Sequence, residues 1–380
     1  MRSIYLDYNA TTPIAPAVQE VILPFLADHF GNPSSHHALG RACHEAVENA
    51  RLCVARLLGV HRDEIIFTSG GTESNNLAIK GVALRHGLLG DGHLVLSAIE
   101  HPAVLEPARY LESLGYGLTL VGCDCRGVVD PRAVAAAIRP DTVLVSVMHA
   151  NNEIGTIQPI RRIAEICHAR DVLLHTDAAQ TVGKIPTRVQ ELGVDLLSLA
   201  GHKMYAPKGI GALYVRRGIA LEPVLHGAGH EGGLRAGTEN VPFTIALGRA
   251  AMLADAHLDE AAKRLATLRD RLQQRLQEGT GDRLTVNAAG AERLPNTLSV
   301  NFPGRSGGAL LRRIPELCAS TGAACHSGSK NLSPTLAAIG LTPETTRGTV
   351  RLSVGWYTTE EEVDRAASLL LSAWEAEIDS

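Results

Sequence analysis

Seven short runs of apolar and β-branched residues recur between Ile65 and Arg217, separated by stretches with helical periodicity. The runs are IIFTS, HLVLSAI, GLTLVG, TVLVSVMHA, VLLHTD, DLLSLAG and GALYVRR. Runs that are apolar on both faces indicate strands covered by helices on both sides of a mostly parallel sheet. Helices are predicted between them, for example over residues 72–85 and 159–170. The sequence therefore predicts an α/β fold whose large domain contains a mostly parallel, seven-stranded sheet.

The composition changes near Leu258, where a long, charged amphipathic stretch begins and continues to a Gly-Thr-Gly stop. The 380 residues also contain more apolar material than one small domain can use. We therefore predict a large domain over residues 15–257. Residues 1–14 and 258–380 are predicted to form a smaller α+β domain.

The charge balance and the cysteine content exclude several classes of protein. The chain has 36 Lys and Arg against 40 Asp and Glu, so its net charge of −4 provides no basic field for nucleic acid or an anionic membrane surface. It lacks a run of about 18 uncharged apolar residues and a basic-then-apolar secretion signal, which predicts a cytoplasmic protein. Its seven cysteines are an odd number scattered along a long chain, which is not the pattern of a disulfide framework.

Lys203 follows the apolar run DLLSLAG and precedes a turn rich in glycine and proline. Side chains at strand ends face the crevice in which α/β folds place their sites. A lysine that is desolvated there has a lowered pKa and can form an imine with a carbonyl compound. Taken alone, however, a solvated loop lysine is the commoner interpretation.

Asp177 closes another buried run, VLLHTD, and taken alone it would be interpreted as the cap of the next helix. Lysine and carboxylate together suit pyridoxal phosphate, because the lysine binds its aldehyde and the carboxylate keeps its pyridine nitrogen protonated. Gln180, one helical turn later, could reach the phenolic oxygen of the ring. An ordinary surface glutamine would produce the same pattern.

The segment TSGGTESNN joins a predicted strand to a predicted helix through Gly70 and Gly71. Glycines let the backbone approach a ligand closely, and a helix N-terminus near Thr72 would present free N–H groups to a phosphate. A Gly-Gly pair before a helix is also common as a simple turn. Together with Asp177 and Lys203, it completes the parts of a cofactor site.

With these motifs identified, the chain resembles the fold-type-I pyridoxal-phosphate enzymes of the cysteine desulfurase and selenocysteine lyase family, in class V. The resemblance covers nearly the whole length. The matching motifs, in chain order, are YLDYNATTP, GNPSS, TSGGTESNN, IEHPAV, ANNEIGTIQPI, HTDAAQ, GHKMYAPKGIGALYVRR, RAGTEN, GAACHSGS and RLSVGWYTTEEEVD.

The resemblance implies the residues that bind pyridoxal phosphate. Lys203 is the lysine that forms the imine with the cofactor, Asp177 contacts the pyridine nitrogen and Gln180 contacts the phenolic oxygen. The implied phosphate ligands are Gly71, Thr72 and His202.

It also implies the residues around the substrate. His101 stacks on the cofactor ring and takes part in catalysis, and Asn152 lies beside both ring and substrate. Arg351 binds the substrate carboxylate, for which a guanidinium can supply two parallel hydrogen bonds. An arginine in an ordinary ion pair on a surface strand is the alternative. Thr238 reaches the phosphate in the partner subunit's site, which implies a homodimer.

Two positions bear on how closely the chain follows the family. Many desulfurases have a serine two residues before the His-Lys pair that contacts the phosphate, whereas this chain has Ala200. The resemblance also implies that Cys325 is the nucleophile. It stands in STGAACHSGSKNLSP, whose small and polar residues predict a loop and not a buried segment.

The implied reaction converts L-cysteine to L-alanine and leaves a persulfide on Cys325, which a sulfur-acceptor protein could then receive. A selenocysteine lyase is the alternative, because the GAACHS form of the motif, with His326 after the cysteine, resembles the animal selenocysteine lyases. The loop that follows has the spacing of the longer-loop desulfurases. An aminotransferase would use Lys203 and Asp177 in the same way but would not need Cys325.

Two other classes of function fit the sequence less well. Residues 227–232 match G-x-G-x-x-G, the pattern of a dinucleotide-binding oxidoreductase, but they neither follow a predicted strand nor open a helix. A metal-binding module could use His36, His37, Cys43 and His44, or Cys123 and Cys125. Neither group has a second pair at zinc spacing, so we predict no metal site.

Overall fold

The computed structural model describes residues 3–87, 90–321 and 333–376. Its strands, in chain order, are β1 Ile4–Tyr5, β2 Ile65–Thr68, β3 His93–Ser97, β4 Gly117–Val121, β5 Thr142–Ser146, β6 Leu173–Asp177, β7 Leu196–Ala200, β8 Gly211–Val215, β9 Thr285–Val286, β10 Thr297–Asn301, β11 Leu317–Cys318 and β12 Thr349–Ser353.

The helices alternate with these strands over most of the chain. They are α1 Pro16–Ala27, α2 Ala38–Leu58, α3 Gly71–His86, α4 Pro102–Ser113, α5 Pro131–Ala137, α6 Ile160–His168, α7 Val189–Leu192, α8 Val241–Thr280, α9 Gly307–Arg312, α10 Pro334–Ala338, α11 Pro343–Thr346 and α12 Glu360–Glu375. The helices predicted over residues 72–85 and 159–170 are confirmed to within two residues at each end, as α3 and α6.

The central sheet has seven strands in the order β2-β8-β7-β6-β5-β3-β4, and β8 alone runs against the others. The predicted mostly parallel, seven-stranded sheet is therefore confirmed. Alternate residues of its strands enter two different hydrophobic clusters. Residues such as Phe67 and Val95 pack with α1, α2, α6 and α8, whereas Ile66 and Leu96 pack with α3 and α4. Helices thus cover both faces, which is why these strands are apolar throughout.

A second, antiparallel sheet has the order β12-β10-β9 and packs in its own hydrophobic cluster with the second half of α8 and with α12. Helix α8 contributes residues up to Ala254 to the first cluster and residues from Leu265 onward to this one. The helix continues without interruption through residues 257 and 258. The predicted domain boundary at that point stays a prediction.

The carboxyl ends of six central strands meet at one edge of the sheet, because β8 alone is reversed. Thr68, Ser97, Ser146, Asp177 and Ala200 end five of these strands. The segments that follow them carry most of the predicted cofactor residues. This edge is the place where a parallel α/β sheet builds a site.

None of the helices in the described part of the chain is both long enough and apolar enough to cross a membrane.

Glu100 ties two of the strand ends together beneath this edge. Its Oε1 accepts hydrogen bonds from the Ser97 hydroxyl, at the end of β3, and from the Met148 N–H at 2.6 Å, just after β5. Its Oε2 is buried without a hydrogen-bond partner in the described structure, and the residue is only 5% exposed. Burial, with a smaller contribution from the charge of Asp177, raises the pKa of Glu100 from 4.5 to about 8.

We expect Glu100→Gln to stabilise the protein at and above neutral pH. Between about pH 4.5 and about pH 8 the folded protein binds this proton more tightly than the unfolded chain, so wild-type stability falls as the pH rises through that window. Glutamine keeps the Oε1 acceptor and does not titrate. In urea unfolding, the wild type and the variant should therefore have similar free energies of unfolding near the acid end of this pH window. At the basic end the variant should be more stable by up to about 5 kcal/mol.

The matched control is Glu106→Gln, because Glu106 is exposed and paired with Arg109. Its free energy of unfolding should follow that of the wild type at every pH. A Glu100→Gln protein whose stability changes with pH as the wild type's does would show that Glu100 is ionised in the folded protein.

Candidate active site

Lys203 lies in the turn after β7 and reaches across to the N-terminal segment of the chain. Its Nζ donates hydrogen bonds to the backbone carbonyl oxygens of Asn9 at 2.5 Å and Ala10 at 2.7 Å. The side chain is half-buried. The interpretation of Lys203 as a solvated loop lysine is therefore wrong, since its amine points into the protein at the carboxyl edge of the sheet.

Asp177 is 7% exposed and both of its carboxylate oxygens accept hydrogen bonds. Oδ1 accepts from the Ala179 N–H at 2.9 Å, in the turns that follow β6; the next helix begins only at Val189, so Asp177 does not cap a helix. Oδ2 accepts from Asn75 Nδ2 at 2.8 Å, which connects β6 to the second turn of α3. The carboxylate is thus fixed between the turns after β6 and helix α3, where it can face a ring nitrogen.

Gln180 is buried, so the alternative of a surface glutamine is wrong. Its Nε2 donates to the Asn9 carbonyl at 3.0 Å, and its Oε1 accepts from Lys184 Nζ at 3.0 Å. The Asn9 carbonyl therefore receives hydrogen bonds from both Gln180 and Lys203.

The start of α3 has the geometry of a phosphate cradle. Gly70 has a φ of 149°, a conformation that side-chain-bearing residues rarely adopt, and it turns β2 into the helix. A Cβ on Gly71 would lie 3.3 Å from the Cβ of Ala200, so backbone and strand end approach closely here. Thr72 is exposed in the first turn, among the N–H groups that a helix leaves without an internal acceptor.

His202 lies beside Lys203 and makes a hydrogen bond through Nδ1 to the Thr11 hydroxyl at 3.1 Å. Burial and the nearby lysines, Lys203 first among them, lower the pKa of His202 to about 4. The imidazole is therefore neutral at physiological pH, and it can offer one N–H to a phosphate oxygen without competing for a proton.

His101 caps the start of α4, where its Nδ1 accepts a hydrogen bond from the Ala103 N–H at 3.1 Å. A neutral imidazole that accepts at Nδ1 carries its proton on Nε2. The ring is half-buried and directly follows Glu100 at the carboxyl edge of the sheet. Its stacking on the cofactor stays a prediction.

Arg351 lies on the central part of β12 and is 2% exposed, so it is not a surface arginine. It does form an ion pair, since Nη2 donates to Asp7 Oδ1 at 2.7 Å. Nη1 donates to the backbone carbonyl of Asn152 at 3.0 Å. Nε is buried without a hydrogen-bond partner in the described structure. The guanidinium is therefore oriented by protein groups and keeps donors for a further anion.

Cys325 lies outside the described residues, but the chain on either side of it is placed. Before it, Ser320 and Arg351 exchange backbone hydrogen bonds of 2.6 and 3.3 Å. After it, the Ser333 hydroxyl donates to Glu153 Oε2 at 2.6 Å, next to Asn152. Both flanks of the cysteine segment are thus attached beside the two residues predicted to bind substrate.

Thr238 is exposed and precedes α8. No hydrogen bond found within the described residues connects its side chain to the site of its own chain. Its predicted contact with a partner subunit stays a prediction.

Several residues that form this site carried no predicted role. Asp7, Asn9, Asn75, Glu100 and Lys184 hold the predicted residues in place. The first four stand inside motifs that were already recognised, YLDYNATTP, TSGGTESNN and IEHPAV. Nothing in the sequence indicates that Lys184 is buried, because a lysine seven residues after a buried strand resembles any surface lysine.

The residues of the alternative dinucleotide-binding and metal-binding motifs lie within the described structure. Residues 227–232 are preceded by bends and lead only into a short 3-10 turn at Glu231–Gly233. His37 caps α2, and Cys43 Sγ contacts the His29 carbonyl at 3.3 Å. Across residues 3–87, 90–321 and 333–376, no group of three or more His, Cys, Asp or Glu side chains is arranged to hold a metal ion.

Comparison with known proteins agrees with this geometry. The family model "Aminotransferase class-V" matches residues 4–366. The cysteine desulfurase IscS of Dictyoglomus turgidum is 46% identical over 371 residues, which cover 97% of this chain and 94% of that protein.

Two solved structures extend the agreement to the fold. A NifS-like protein superposes with a TM-score of 0.90 at 38% identity, over 98% of this chain and 99% of the other. SspA, solved in complex with cysteine, superposes with a TM-score of 0.83 at 38% identity, over 94% of this chain and 100% of the other. The fold is thus that of the fold-type-I pyridoxal-phosphate enzymes. The chain therefore belongs to the class-V aminotransferase family, whose members depend on pyridoxal phosphate.

Proposed function

We propose that this chain is a cysteine desulfurase that converts L-cysteine to L-alanine and forms a persulfide on Cys325. The observation that carries the proposal is the attachment of both flanks of the Cys325 segment beside Arg351 and Glu153. These contacts support the proposal because the described residues on both sides of the segment, Ser320 and Ser333, contact Arg351 and Glu153. An aminotransferase would not need Cys325.

The donor set fits pyridoxal phosphate. Gly71 and Ala200 leave a close approach at the start of α3, where a larger residue at position 71 would be crowded. Lys203 offers an amine, Asp177 a carboxylate and His202 a neutral imidazole, and all three lie at or just after the carboxyl ends of β6 and β7. Lys203 would hold the aldehyde, Asp177 the ring nitrogen, and His202 with Thr72 the phosphate. When bound, the cofactor supplies an electron sink for the carbanion that forms at the substrate α-carbon.

The residues of this chain then bind the substrate and move its protons. Arg351 receives the substrate carboxylate through the donors that Asp7 and Asn152 leave open. Lys203 Nζ would hold the cofactor aldehyde and would also take the proton from the α-carbon of the substrate. The carboxylate of Asp177 would keep the ring nitrogen of the bound cofactor protonated.

The sulfur step belongs to Cys325. Its thiolate attacks the sulfur of the substrate, the new S–S bond forms as the carbon–sulfur bond breaks, and the electron pair stays on the carbon side. That carbon takes up a proton, the α-carbon takes back the proton that Lys203 removed, and the product leaves as L-alanine. The sum is cysteine plus thiol giving alanine plus persulfide, which balances without an external oxidant or reductant. We propose that an acceptor protein receives the sulfur.

A selenocysteine lyase is the second candidate, on the basis of the GAACHS form of the motif. The same residues would act in the same roles, with selenium in place of sulfur. A cytoplasmic location stays a prediction from the sequence.

Cys325→Ser should abolish alanine formation from L-cysteine, with a loss of at least about 100-fold, because the hydroxyl cannot take up sulfur. The measurement is alanine release by the cofactor-loaded protein, with L-cysteine and L-selenocysteine tested separately. The matched control is Cys125→Ser, since Cys125 is exposed and free, and it should react like the wild type. Wild-type alanine formation by Cys325→Ser would contradict the desulfurase mechanism. Wild-type turnover of selenocysteine with negligible turnover of cysteine would favour the second candidate.

We also propose a homodimer in which Thr238 completes the partner's site. Thr238→Ala and Lys203→Ala homodimers should each bind the cofactor poorly. In a mixed dimer of the two chains, one site keeps Lys203 and receives an intact Thr238 from the other chain. Differently tagged chains, purified as the mixed dimer, should therefore regain wild-type cofactor affinity in half of their sites. A monomer in light scattering, or no regained affinity, would contradict the proposal.

Ala200→Ser should bind pyridoxal phosphate more tightly, by up to about 10-fold. The Ala200 side chain lies against Gly71 at the start of α3, so a hydroxyl there would add a donor at the phosphate cradle. Titration of the cofactor-free protein measures the affinity. Thermal unfolding of the cofactor-free variant should match the wild type, and unchanged cofactor affinity would show that the hydroxyl does not reach the phosphate.

A further inference from the structure

A second lysine lies buried behind the cofactor residues. Lys184 follows β6 by seven residues and is 6% exposed. Its Nζ donates to Gln180 twice, to the backbone carbonyl at 3.1 Å and to the side-chain Oε1 at 3.0 Å. Burial, together with the neighbouring charges of Lys203 and Arg351, lowers the pKa of Lys184 to about 7. Burying an amine among cations is costly, which calls for a reason beyond packing.

Lys184 and Lys203 are connected through two intervening groups. Lys184 Nζ donates to Gln180 Oε1, and Gln180 Nε2 donates to the Asn9 carbonyl at 3.0 Å. The same carbonyl accepts from Lys203 Nζ at 2.5 Å. Both the Asn9 carbonyl and Gln180 Oε1 are acceptors whose partners are lysines.

This arrangement fixes the direction of the Gln180 amide. The two ends of a glutamine amide have nearly the same shape, so only their partners decide which end faces which way. Lys184 Nζ donates to Oε1, and in its charged form it can only donate, so that form excludes a contact with Nε2. The Asn9 carbonyl can only accept, which places Nε2 on the side of Lys203. Asn9 uses one of the two Nε2 hydrogens, and the second remains for a ligand.

We propose that Lys184 is a positioning residue that holds Gln180 with its NH₂ group toward the cofactor, so that Gln180 acts there only as a hydrogen-bond donor. The proposal rests on the proposed function, in which Gln180 contacts the phenolic oxygen of pyridoxal phosphate. A donor stabilises negative charge on that oxygen. A reversed amide would present its own carbonyl oxygen and repel it.

Lys184→Met tests this role, because methionine has a similar length and no donor. We expect the affinity of the cofactor-free protein for pyridoxal phosphate to fall about 5- to 20-fold. The visible absorbance maximum of the bound cofactor should also shift. The thermal midpoint of the cofactor-free variant reports the structural part of the change, because the substitution leaves the backbone carbonyl and Oε1 of Gln180 without their lysine donor. A purely structural lysine would lower this midpoint and leave the cofactor affinity and the absorbance maximum unchanged.

The matched control is Lys208→Met. Lys208 is exposed and its charge also acts on His202, but it has no place in the Lys184–Gln180–Asn9 connection. Its cofactor affinity and absorbance maximum should equal those of the wild type. An equal loss in both variants would show that Lys184 acts through positive charge alone, and it would overturn the proposal.

A double-mutant cycle with Gln180→Leu tests whether Lys184 acts through Gln180. In the Gln180→Leu background, Lys184→Met should cause no further loss of cofactor affinity. Additive losses would overturn the proposal, as would wild-type affinity in Lys184→Met alone.

Failure of the proposed function would look different. In that case the wild type would not take up pyridoxal phosphate with a visible absorbance band, or Lys203→Ala would keep the band of the wild type.

Discussion

The backbone carbonyl of Asn9 holds the candidate site together, because it accepts hydrogen bonds from Lys203 and Gln180 at one point. The side chain of Asn9 continues the connection, since Nδ2 donates to the Asn152 carbonyl and to the Thr297 hydroxyl. A single residue near the start of the chain thus joins the turn after β7, the segment after β6 and strand β10. Asn9 thus links Lys203 and Gln180, which are predicted to bind the cofactor, to Asn152, which is predicted to lie beside the substrate.

The arrangement depends on long-range contacts of buried polar groups, and such groups are costly to leave unpaired. Arg351 is one of these buried polar groups. Its guanidinium is almost fully buried and is held by Asp7 and Asn152, and among the described residues Nε has no hydrogen-bond partner. Fixed donors of this kind orient a carboxylate without first having to be ordered themselves. Under the proposed function, the ion pair with Asp7 orients the arginine for the substrate carboxylate.

The fold could be predicted because its signals are local, and the predicted site residues follow from the same strand ends. Apolar runs predict the strands, and the strand ends at Asp177 and before Lys203 mark the functional edge. Glu100 and Lys184 could not be predicted in this way, since their burial depends on how distant segments pack and the sequence alone shows them as ordinary charged residues. The burial of Gln180 could not be predicted either, because the same sequence pattern fits both a surface glutamine and a buried one. Cys325 could be assigned only through the resemblance, and it lies outside the described residues.

Helix α8 has a consequence for the stability of the whole chain. Its 40 residues extend for about 60 Å, and its two halves pack in different hydrophobic clusters. Loss of either cluster removes packing from the same continuous helix, whose hydrogen bonds favour all-or-none melting over a break in the middle. The two sheets are therefore thermodynamically coupled through one element, so that heat or denaturant should melt them in a single cooperative transition.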